Sequence, residues 1–154
     1  MHWEAISAVG EALGALAVVA SLIYLATQIR QNSASIRAST YDSALSQATN
    51  LHTLLLTNEA LTNAWIQGLN APDELDTINR LRFNSYMLRL FRMIESFHRQ
   101  AAGGVLDPEV FDVSWSEILE FADKPGVASW WQSHRQQFTK SFRNYVEQEL
   151  ESIN

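Results

Sequence analysis

The chain has 154 residues, 17 acidic against 11 basic side chains for a formal net charge of −6, and no cysteine. That length fits one domain with a modest soluble core. The acidic balance argues against nucleic acid as a partner, and the missing thiols exclude a disulfide scaffold and thiolate metal sites.

Residues 5–29, AISAVGEALGALAVVASLIYLATQI, hold one charge, Glu11, in 25 positions. At about 1.5 Å per residue a helix of that length spans roughly 37 Å, more than the ~30 Å core of a bilayer. The uncharged run 12–29 still reaches about 27 Å, enough to cross with slight thinning. A cleaved signal peptide starts with a basic stretch and has a shorter apolar core. Here the start is Met-His-Trp-Glu, so a transmembrane helix over 1–30 is the expectation. Arg30 and Arg37 follow the run and no lysine or arginine precedes it, only the α-amine, which predicts an outside N-terminus and a cytoplasmic C-terminal part.

Within the run, Ser7, Gly10, Gly14, Ala17 and Ser21 fall at alternating spacings of three and four. Small residues on one helix face let membrane helices approach closely, so this stripe predicts a homo-oligomer assembled through the N-terminal helix. Glu4 and Glu11 are seven apart and share a face. In an oligomer they form two acidic rings, the mouth of a cation path; the plainer reading places Glu11 at the outer membrane interface.

No glycine or proline occurs from residue 15 to residue 67. The helix is therefore expected to continue as a stalk over 31–57. Asn58 caps a short helix over 59–68, and Asn70-Ala71-Pro72-Asp73 makes a turn. Phe83, Met87, Leu90, Ile94 and Phe97 repeat at 4-3-4-3 spacing, the apolar face of a helix over 76–102 that Gly103-Gly104 ends. Asp107-Pro108 opens the next helix, to about residue 122. Lys124-Pro125-Gly126 breaks the chain before a short helix with Trp130 and Trp131, and Thr139 or Ser141 caps a last one carrying Phe142, Tyr145, Val146 and Leu150. No strand pattern stands out. The expected fold is all-α: transmembrane helix 1–30, stalk 31–57 and a small cytoplasmic helical bundle 58–154.

Arg82, Arg89, Arg92 and Arg99 project to one side of the long helix, opposite its apolar face. They either hold anionic lipid headgroups or pair with Asp107, Glu109, Asp112, Glu117, Glu120 and Asp123, a block without a base. Internal pairing is the simpler expectation for opposite blocks in one small domain. Glu95-x-x-His98 has the spacing of carboxylate-bridged metal bundles, but those need two such motifs and two more glutamates. No metal site and no cofactor is expected. Trp65, Trp115, Trp130 and Trp131 read as core rather than as a ligand groove.

The segments Trp3-Glu4-Ala5-Ile6, then Gly14-Ala15-Leu16-Ala17-Val18-Val19-Ala20-Ser21-Leu22-Ile23-Tyr24-Leu25-Ala26, then Gln28-Ile29-Arg30-Gln31-Asn32 resemble an uncharacterised bacterial family of small predicted membrane proteins. The likeness extends through Arg80-Leu81-Arg82-Phe83 and Pro125-Gly126-Val127 to Trp130-Trp131. It implies a bacterial membrane helix followed by a helical domain, and it brings no activity and no catalytic residue. The sequence as a whole reads as a non-enzymatic scaffold or sensor in the bacterial inner membrane, with homo-oligomeric contacts and membrane lipid as partners. The alternative is a small cation-conducting pore. No nucleophile or acid–base constellation stands out for an enzyme.

Overall fold

The computed structural model describes the backbone of residues 2–151, and the side chains of that span outside positions 2, 4–7, 9 and 12. Among the described residues the fold is all-α. The helices are α1 (His2–Thr57), α2 (Glu59–Asn70), α3 (Thr77–Ala102), α4 (Pro108–Leu119), α5 (Pro125–His134) and α6 (Lys140–Glu151). Two compact units divide within α1, residues 1–39 and residues 40–154.

The division falls inside the stretch expected to be a stalk. Ala44 and Leu51 are buried in the core of the second unit, and Leu54 and Leu55 pack against it. Residues 44, 48, 51 and 55 recur at helical spacing, so α1 turns one apolar face toward the bundle from residue 40 onward. Leu45, one position off that face, stays 56% exposed.

Local signals set the remaining elements. Asn58 Oδ1 accepts from Leu61 N at 3.0 Å and opens α2. The Thr62 hydroxyl donates to the carbonyls of Leu55 and Asn58, tying α2 back to the end of α1. Asp76 caps α3 through Asn79 N at 2.8 Å, and Asp107 caps α4 through Glu109 N at 3.0 Å with Pro108 in the first turn. Gly104, at φ 69°, closes the end of α3 in the left-handed region that glycine tolerates. α4 stops at Leu119, short of residue 122, because Phe121 N and Ala122 N bond three residues back to Ile118 O and Leu119 O, the tighter turn that ends α-helices.

α3 supplies the centre of the core. Phe83, Met87, Phe91, Ile94 and Phe97 are each at most 2% exposed. α4 adds Phe111, Trp115 and Ile118, α5 adds Val127, Trp130 and Trp131, and α6 adds Phe142 and Val146. Trp65, Trp115, Trp130 and Trp131 are core, as expected: Trp65 meets Phe83, Tyr86 and Phe121, while Trp130 and Trp131 both stack on Phe91. The Trp115 indole donates to Glu149 at 3.3 Å, whereas those of Trp130 and Trp131 are buried without a partner among the described residues. Gly68 and Gly126 permit the close passage of α5 across α2. A Cβ on Gly126 would land on the Gly68 carbonyl, and one on Gly68 would enter the Phe83 ring.

Candidate functional site

The most unusual surface of the molecule is α1 before residue 40. Every residue from 13 to 39 is exposed. Leu13, Leu16, Val18, Val19, Leu22, Ile23, Leu25 and Ile29 stand 52–66% open. Covering one such side chain is worth about 1.5–3 kcal/mol. Eight of them, even at half that value, match the whole stability of a typical domain, about 5–15 kcal/mol. By length and composition α1 is one helix able to cross a membrane.

Along that helix the small stripe is open. Gly10, Gly14, Ala17 and Ser21 are exposed, and a Cβ on either glycine would meet nothing within 4 Å. The Ser21 hydroxyl donates to Ala17 O at 2.8 Å and that of Thr27 to Tyr24 O at 2.7 Å. Both hydroxyls are thus satisfied inside the helix, which suits a setting without water. Glu11 is exposed; the side chains of Glu4 and Ser7, the other residues assigned to the pore mouth and the stripe, lie outside the described residues.

The second feature belongs to the bundle. Arg82, Arg89, Arg92 and Arg99 are all exposed on α3. Arg82 Nη1 donates to Asn79 at 2.9 Å, and Arg92 pairs with Glu95 at 2.8 Å while its guanidinium lies 4.8 Å from the centre of the Phe138 ring. Among the described residues no ion pair joins these arginines to the acidic block. Glu117 faces His52 at 3.6 Å and Asp123 faces Lys124 at 3.3 Å. The expected internal pairing therefore does not form among the described residues. On α1, residues Gln47, Asn50 and Leu51 line a recess with Arg89 and Arg92, while Tyr41, Ala44 and Leu45 line another with Asp107, Glu109 and Glu117. α1 therefore contributes to the wall of both recesses.

Glu95 and His98 have structural surroundings rather than those of ligands. Glu95 is buried and accepts from Thr139 N at 2.7 Å as well as from Arg92, so a carboxylate on α3 fixes the start of α6. Burial pushes its pKa up, but the hydrogen bonds from Thr139 and Arg92 prevail and hold it below the usual carboxylate value. His98 sits among Phe111, Phe142 and Tyr145, with ring centres 5.2–5.7 Å away. Desolvation there lowers its pKa against the pull of Glu95. Burial, then the charges of Glu149 and Asp112, push Tyr145 up to about 12. Among the described residues no group of histidines and carboxylates is arranged to hold a metal ion. The Glu95–Thr139 tie is the element that sequence reasoning missed, since its partner lies 44 residues away.

Compared with known protein families, curated proteins and solved structures, the chain matches none.

Proposed function

We propose that the chain is an anchored protein of the bacterial inner membrane that self-associates through its N-terminal helix, with residues 40–154 on the cytoplasmic side, and that it acts as a scaffold or sensor rather than as an enzyme. The observation that carries this reading is the uncovered apolar surface over residues 13–29. Lipid supplies the missing cover for most of that surface. The small-residue stripe gives the helix a face on which a second copy approaches closely enough for van der Waals packing. Arg30 and Arg37 on the C-terminal flank support the orientation, and the bacterial setting rests on the family resemblance.

The absence of cysteine makes single-cysteine labelling a clean test. With a membrane-impermeant maleimide on intact cells, Trp3→Cys should label, Thr57→Cys should label only after permeabilisation, and Leu22→Cys should label in neither state. Labelling of Leu22→Cys as complete as that of Thr57→Cys in permeabilised cells would overturn the reading.

A further inference from the structure

Folding leaves two complementary faces of the bundle unsatisfied. On α3, Arg82, Arg89 and Arg99 have no carboxylate partner among the described residues, since the nearby Glu95 is committed to Arg92 and Thr139. Ile78 and Leu81 stand beside them on the same surface, 62% and 68% exposed. Glu109 and Asp112 on α4, and Glu120 just past its end, likewise have no ion pair among the described residues. Next to them runs a groove of ≈ 440 Å³ with Ala44, Phe97 and Val110 in its lining and Asp107, Glu109 and Glu117 along it. One face is apolar side chains set among arginines; the other is an apolar recess edged by carboxylates.

We propose that the acidic α4 groove of one copy of this chain receives the arginine-bearing α3 face of a second copy. The inference rests on the self-association proposed above and adds a second, separate contact to it. Charge complementarity selects the occupant. An anionic lipid surface would satisfy the arginines and repel the α4 block, and a basic peptide would do the reverse. The chain itself carries both signs, so one contact between two copies neutralises both faces. Such a contact joins two different patches and is therefore heterologous, closing into a ring when the rotation permits. Its charged rim sets register and responds to salt, because the Debye length falls from about 10 Å at 0.1 M to about 3 Å at 1 M.

The test uses full-length chains with single cysteines and two different tags, co-expressed in membranes. A short bismaleimide should join Arg89→Cys on one copy to Glu109→Cys on the other. This mixed band should exceed either same-site band several-fold, and it should weaken several-fold when Arg82→Glu is added to the Arg89→Cys copy. Ser21→Cys on both copies reports the membrane-helix contact separately. A mixed band supports the proposal whether or not Ser21→Cys cross-links. Absence of the mixed band while Ser21→Cys does cross-link overturns the α3–α4 contact alone; absence of both overturns self-association as well. Same-site bands as strong as the mixed band, or shielding of Arg89→Cys from alkylation by phosphatidylglycerol vesicles and not by the second copy, also overturn it.

Discussion

Replacing Glu95 tests whether the bundle is closed by the joint between α3 and α6. The carboxylate makes two bonds of different worth. Its bond from Thr139 N is made by a buried charged acceptor, and hydrogen bonds to charged groups contribute about 1.5–3 kcal/mol. The Arg92 partner is 49% exposed, so solvent screening reduces that pair to about 0.2–1 kcal/mol. Glu95→Ala loses both and leaves the Thr139 amide without its acceptor, so it should cost roughly 2–4 kcal/mol. Glu95→Gln keeps an acceptor for Thr139 and should cost about 1 kcal/mol, as should Arg92→Ala, which removes the weaker bond and a cation–π contact worth ~0.5–1 kcal/mol. Urea unfolding of the purified full-length chain, followed by tryptophan fluorescence, reads all three. The sign with pH follows from the lowered pKa: Glu95 contributes stability above its unfolded value of about 4.5, and that contribution disappears as pH falls through the lower folded value. Glu95→Ala should flatten this acid limb. A Glu95→Ala variant as stable as Glu95→Gln, or one with an unchanged acid limb, would refute the reasoning.

Gly126→Ala should destabilise the bundle by about 1–3 kcal/mol, because the new methyl meets the Gly68 backbone rather than a movable side chain; unchanged urea midpoints would contradict this. Gly14→Leu should weaken cross-linking of Ser21→Cys copies well beyond Ala26→Leu, which lies off the stripe, and equal effects would remove the stripe as the interface. His98 has a lowered pKa, so its contribution is present above its ordinary 6.5 and declines as pH falls below that value; His98→Leu should abolish the part of the acid destabilisation that begins below 6.5, as read by melts across pH. Tyr145, pushed up to about 12, contributes below its ordinary 10.0 and loses that contribution as pH rises toward 12; Tyr145→Phe should unfold less readily in alkali.

The local parts of this fold were legible in the chain. The 4-3-4-3 spacing from Phe83 to Phe97, the caps at Asn58 and Asp107, and the Gly103-Gly104 stop each act within a turn or two, and α2, α3 and α4 form where those signals stand. What was not legible depends on contacts far apart in sequence. α1 contains no breaker, so nothing local marks residue 40 as the place where it joins the core. The arginine and acidic blocks are opposite in sign and similar in size, yet sequence does not reveal that no ion pair joins them among the described residues and that α1 shares a recess with each. The Glu95–Thr139 bond has no periodicity that would disclose it.

Alkaline carbonate extraction of membranes from cells making the full-length chain tests the central claim most directly. An apolar helix in contact with lipid resists the wash, whereas a chain held by charge or by another protein is released. The account predicts that the protein stays in the membrane pellet and enters solution only with detergent. Recovery of the chain in the carbonate supernatant would contradict it, and would mean that residues 13–29 are covered by protein instead of lipid.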